Sequence, residues 1–132
     1  MRKTSKRILS IIMVICILTA GMGAFASVQW THIDALGAGL TIGALGYTTC
    51  TATVEISNST DTGTLYMYLQ RYVNGSWTNV TSWSTSGTVD LSLGGHYYVT
   101  SGYSYRVHAI AYIFTSGTLV ETATQDSNSV YY

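Results

Sequence analysis

Between Thr48 and Ser57 the side chains change character at every residue. Cys50, Ala52, Val54 and Ile56 are apolar, while Thr49, Thr51, Thr53 and Glu55 are polar. A period of two buries one face of an extended strand and no face of a helix. The same alternation returns from Leu65 to Val73, where Leu65, Met67 and Leu69 interleave with Tyr66, Tyr68, Gln70 and Tyr72. It returns again inside the long apolar stretch Tyr97–Phe114, where Tyr105, Val107, Ala109, Ala111 and Ile113 keep one parity and Ser104, Arg106, His108, Ile110 and Tyr112 the other. Strong helix formers are scarce after residue 26, proline is absent, and Thr, Tyr, Val and Ser dominate. Such a composition favours strands and turns.

The breaks fall where strand pairing needs them. Asn74-Gly75 follows Val73 directly, and both residues tolerate the positive φ of a type I′ hairpin turn. The return strand is expected from about Trp77 to Trp83. A weaker strand is expected from Thr88 to Leu93, ended by Gly94-Gly95. Ser116-Gly117 turns the chain into a strand from Leu119 to about Gln125, and residues 127–132 supply a short last one. The glycine-rich segment Ala35–Leu45 reads as a loop or flexible strand. About seven strands at intervals of about ten residues predict an all-β fold, an antiparallel two-sheet sandwich.

The N-terminus has a different logic. Arg2, Lys3, Lys6 and Arg7 precede an apolar run from Ile8 to about Leu18, and Ala24-Phe25-Ala26 ends it with small residues at two spaced positions. This order is that of a secretory signal peptide, a helix removed on export. The expected division is therefore a signal peptide over 1–26 and one domain over 27–132. The alternative is an uncleaved anchor, but Ile8 to Ala24 is 17 residues, short of the roughly 20 that span a bilayer. Cleavage removes four of the six basic residues and Cys16; it leaves Arg71 and Arg106 against six acids, a formal charge of −4, with no lysine. Two cations cannot neutralise a run of phosphates, so nucleic acid and anionic lipid are disfavoured partners.

Gly102-Tyr103-Ser104-Tyr105-Arg106-Val107 resembles the entry to the sixth strand of fibronectin type III-like and immunoglobulin-like sandwiches, where a Tyr three residues after a Gly starts an alternating strand. The resemblance implies that Tyr105 is a tyrosine corner, its hydroxyl tying the preceding loop to the sandwich, and that Val89-Asp90-Leu91 belongs to the fifth strand. No second cysteine can pair with Cys50 after cleavage, and the Leu65–Val73 strand has no Trp, which argues against a true immunoglobulin domain. The whole chain, with its Leu69-Gln70-Arg71-Tyr72-Val73-Asn74-Gly75-Ser76-Trp77 hairpin, Tyr-Arg-Val strand and late Glu121, resembles short exported proteins of Gram-positive bacteria whose function is unknown. That resemblance implies a fold and a location but no activity.

Catalytic chemistry finds little support. The chain after residue 26 has no lysine and no Gly-x-Ser-x-Gly elbow. Cys50 lies on the apolar parity of its strand, where a thiol is a buried and inert structural residue. His32, His96 and His108 show no ligand spacing, although His32-Ile33-Asp34 would put two donors on one strand face. No metal and no cofactor are expected, and the chain is not expected to be an enzyme. The best lead is aromatic. If Leu65, Met67 and Leu69 point inward, Tyr66, Tyr68 and Tyr72 point outward, beside Arg106, His108 and Tyr112 of the long strand. Such a tyrosine-rich face with one cation suits sugar rings or a protein surface. The expectation is a secreted, non-catalytic binding or adhesion module whose partner is cell-wall glycan or another surface protein. The alternative is a structural or self-associating surface protein, since no lysine or proline guards the sheet edges; a small secreted enzyme or toxin ranks behind both.

Overall fold

A computed structural model describes residues 29–132; the expected signal peptide and cleavage point lie outside the described residues. Eight strands form two antiparallel sheets: β1 (Ile33–Ile42), β2 (Tyr47–Ile56), β3 (Thr62–Val73), β4 (Ser76–Gly87), β5 (Leu91–Tyr98), β6 (Ser104–Thr115), β7 (Thr118–Asp126) and β8 (Val130–Tyr131). One sheet runs β1-β2-β5. The other runs β4-β3-β6-β7, with the short β8 added to the start of β6. The chain is the expected β-sandwich. Among the described residues no helix is long and apolar enough to cross a membrane.

The inward parities predicted from alternation make the core. Leu65, Met67 and Leu69 of β3 sit opposite Ala111, Ala109 and Val107 of β6, and all six are inaccessible to solvent. From the facing sheet, Cys50, Ala52 and Val54 of β2 close the layer, with Leu36 of β1 and Leu91 of β5 at its margins. Large residues on one central strand thus meet small ones on its neighbour, so the layer fills without overpacking.

Four boundaries are refined or shifted relative to the sequence expectation. Ala44–Gly46 is a 3-10 turn, but of the two readings of the glycine-rich segment, strand holds as far as Ile42, in β1, because Leu36, Ala38, Leu40 and Ile42 pack inward. Its Gly37 and Gly39 lie opposite Thr53 and Thr51 of β2, and a Cβ on Gly37 would stand 3.0 Å from the Thr53 hydroxyl oxygen. β4 extends to Gly87 because Ser84, Thr85 and Ser86 pair with Tyr66, Leu65 and Thr64 despite their polarity. The stretch Tyr97–Phe114 divides at Val99–Tyr103, leaving β6 to begin at Ser104.

The fourth difference is β5, which runs through Gly94-Gly95 instead of ending there. Gly95 faces inward beneath the indole of Trp83, where a Cβ would stand 2.6 Å from Cζ2. The glycine is a seat for a β4 side chain rather than a strand terminator.

The sandwich has two distinct poles. At one, the His32 carbonyl accepts from the Ser57 amide, the Asn58 carbonyl accepts from Asp61, and the β6–β7 turn carries positive φ at Ser116 and Gly117. At the other, Asn74 and Gly75 form the β3–β4 turn, both at positive φ as the hairpin signal requires. There too the Tyr105 hydroxyl donates to the Thr100 carbonyl at 2.6 Å, and the Val99 amide donates to Gly46 at 2.9 Å. The tyrosine corner thus ties the Val99–Tyr103 crossing to the start of β6.

The two adjacent glycines of β5 give a matched test. Gly95→Ala is expected to displace Trp83 and lower stability by about 1–3 kcal/mol, the usual effect of overpacking. Gly94→Ala, which meets nothing within 4 Å, is expected to leave it within about 1 kcal/mol of the parent. Urea midpoints of the two variants measure the contrast.

Candidate functional site

Register decides what the outer face of the five-stranded sheet displays. On β3 the outward residues are Thr64, Tyr66, Tyr68, Gln70 and Tyr72. Tyr68 pairs with His108, Gln70 with Arg106, and Thr64 with Tyr112 on β6. Tyr66, Tyr68, Tyr72, Arg106, His108 and Tyr112 therefore all lie on this one face. Tyr66 and Tyr68 stack with ring centroids 6.2 Å apart, and Tyr112 meets Tyr66 edge-on at 5.8 Å. His108 lies 6.4 Å from Tyr68. Each ring covers part of its neighbour, so most are half-buried, while Tyr72 is 46% exposed.

The lower half of the face contains residues that parity alone did not single out. Trp77 is the cross-strand partner of Tyr72, and their rings lie 5.2 Å apart. The Arg106 guanidinium sits 4.4 Å over the Trp77 ring, its Nε donates to Gln70 Oε1 at 2.9 Å, and its Nη1 donates to Asp126 Oδ2 at 3.1 Å. His108 Nδ1 also bonds Asp126. Gln70 is held in turn by its own donation to Asn79 Oδ1 at 3.0 Å. Arg106, the one arginine or lysine of this face among the described residues, is thus neutralised by Asp126 and oriented by Gln70. The Asn74-Gly75 turn was sufficient to place Trp77, because a two-residue loop fixes Tyr72 opposite Trp77. Asp126 carried no such signal, since it reaches His108 through the β6–β7 register.

The remaining chemical candidates separate. Cys50 faces inward and is inaccessible; burial pushes its thiol up to about 11, so the thiolate that reactivity requires is suppressed. The three histidines occupy different surfaces. His96 stacks on Tyr47 at 5.0 Å and bonds Thr49, His108 lies on the opposite sheet, and His32 lies at a pole. His32 and Asp34 do not act together: His32 Nδ1 bonds Asp61 Oδ2 at 2.8 Å, whereas Asp34 accepts from Ser57 Oγ at 2.6 Å. Among the described residues no three His, Cys, Asp or Glu side chains are grouped to hold a metal.

The His32 contact belongs to a clip that fastens the entering chain. Asp61, fully inaccessible, also accepts from Thr115 Oγ1 at 2.7 Å. The two Glu121 oxygens accept from the Thr31 and His32 backbone amides at 2.9 and 2.6 Å. The hydrogen bond from Thr115, then that from His32, holds the Asp61 carboxyl below its ordinary value.

The chain matches no protein-family model and no curated protein sequence.

Two outcomes follow from these environments. Cys50 is expected to resist an aromatic disulfide reagent at pH 8 in the folded protein and to react fully in guanidinium; stoichiometric reaction of the folded form would contradict its burial. Asp61 has a folded-state pKa below its unfolded value, so its contribution is complete above the unfolded value and is lost as pH falls through the folded one. The thermal midpoint of the parent is therefore expected to fall more steeply below about pH 4 than that of Asp61→Asn, as read by circular dichroism across an acid series.

Proposed function

We propose that the protein is an exported, non-catalytic binding module that presents the outer face of its five-stranded sheet to cell-wall glycan. The observation that supports this reading is the continuous run of rings from Tyr112 through Tyr66 and Tyr68, with His108 beside Tyr68, and the Tyr72–Trp77–Arg106 cluster beyond it. Tyrosine offers apolar area with a polar tip, which suits the C–H faces and hydroxyls of a sugar ring. Gln70, Asn79 and Asp126 supply directional polar groups at the lower end. Export is supported by the basic head, apolar run and Ala24-Phe25-Ala26 ending, and membership in an exported Gram-positive group by the sequence resemblance.

A second reading, self-association at a surface, is favoured by one observation. The edge strand β7 exposes Leu119 and Val120, at 49% and 41%, with no lysine or proline on the strand to discourage pairing.

The double variant Tyr66→Ala/Tyr68→Ala removes outward rings and no core atoms. It is expected to retain the far-ultraviolet spectrum of the parent and to lose retention on insoluble cell-wall polysaccharide. Parental retention by a folded double variant would remove the aromatic face from consideration, and concentration-dependent sedimentation of both proteins would favour association through β7.

A further inference from the structure

Arg71 is the other cation of the described residues, and its setting differs from that of Arg106. It follows Leu69 on the inward parity of β3 and pairs with Tyr105 of β6, so it points between the sheets at the hairpin pole. None of the ion pairs among the described residues includes it; those join His32 to Asp61, and Arg106 and His108 to Asp126. Its Nε is buried and has no hydrogen-bond partner. An arginine cannot relieve this by losing its proton, and an unmet buried donor is costly. The guanidinium carbon sits 4.5 Å over the Tyr103 ring. That contact draws on the positive charge, and the Nε donor still has no hydrogen-bond partner.

Arg71 also lines a cleft of about 140 Å³ formed with Val80, residues 97–100 and Tyr105. The other walls carry no charge. Val80 and Val99 are apolar, and Tyr98 is 67% exposed at the rim. The Tyr105 hydroxyl and the Thr100 carbonyl satisfy one another, and among the described residues that line the cleft Arg71 is the only charged donor. The space accommodates a planar anionic head and a few carbon atoms. A planar guanidinium matches a carboxylate through two parallel N–H···O bonds. A phosphate dianion, bulkier and more strongly hydrated, has one cation to meet two charges.

We propose that the Arg71 cleft binds a carboxylate with a short apolar stem, supplied either by a free organic acid or by the C-terminal end of a peptide. This site lies on the inward side of β3 and is independent of the outer aromatic face. The experiment is a nuclear magnetic resonance titration of the folded domain with butyrate, N-acetylalanine and inorganic phosphate, following the Arg71 Nε–H signal. A carboxylate is expected to shift that signal saturably in the millimolar range, as befits so few contacting atoms, with phosphate weaker because its second charge meets no second cation. Saturation by butyrate alone identifies a free acid as the source, and saturation by N-acetylalanine alone a chain end; saturation by both shows that the carboxylate group itself is what the cleft reads. Arg71→Met, which keeps an apolar stem against Tyr103, is expected to abolish the response of neighbouring amides. Arg71→Lys, which keeps the charge and loses the planar fork, is expected to weaken it about tenfold. Absence of a saturable shift in the parent protein, equal binding of phosphate, or an unchanged response in folded Arg71→Met would each overturn the assignment.

Discussion

The pairing of β3 with β6 is the constraint on which the rest of the molecule depends. Leu65, Met67 and Leu69 meet Ala111, Ala109 and Val107 in a layer sealed from water. Slipping either strand by one residue would turn that entire set outward and bring Tyr66, Tyr68 and His108 into the core. Any odd slip exposes these side chains, so the inner packing and the outer rings are aligned together. The aromatic surface is in this sense dictated by the core: Tyr68 stands beside His108 because Met67 must stand beside Ala109.

A second tier of interactions fixes the ends. The Tyr105 hydroxyl holds the Val99–Tyr103 crossing at one pole, and Asp61 with Glu121 holds the entering chain at the other. These polar contacts are few, but most lie where the strands run out and backbone groups would otherwise be left unpaired. Between them the sandwich carries charge sparingly. Asp126 serves both Arg106 and His108, Asp61 is buried with both oxygens satisfied, and among the described residues only Arg71 keeps a buried donor unused.

Much of this was legible in the residues. Strict alternation identified the inward faces of β2, β3 and β6, and the Asn-Gly turn identified the β3–β4 hairpin, because both signals are local and steric. β1 and β5 were harder to read for a common reason. Glycine locally signals a break, yet Gly37, Gly39 and Gly95 serve long-range contacts with Thr53, Thr51 and Trp83 that no local window contains. The six aromatic and basic residues of the outer face followed from parity. Their ordering by Gln70, Asn79 and Asp126 did not, since side-chain hydrogen bonds across three strands depend on registers that the sequence states only in part. Arg71 illustrates the same limit: its inward parity was visible, but the cleft around it is made by the loop after β5.

The clip of Asp61, Glu121 and His32 has a mechanical consequence. The described chain enters at the pole where that clip lies and leaves at the other, where the Tyr132 amide donates to Tyr103 and its carbonyl accepts from Gly102. Tension between the two ends therefore runs along the strands. It slides β1 lengthwise against β2, loading their ladder of hydrogen bonds together, instead of peeling them open one at a time. The same layout sets the Arg71 cleft at the pole opposite Thr31 and His32, so a load on the first described strand is felt at the far end from the cleft.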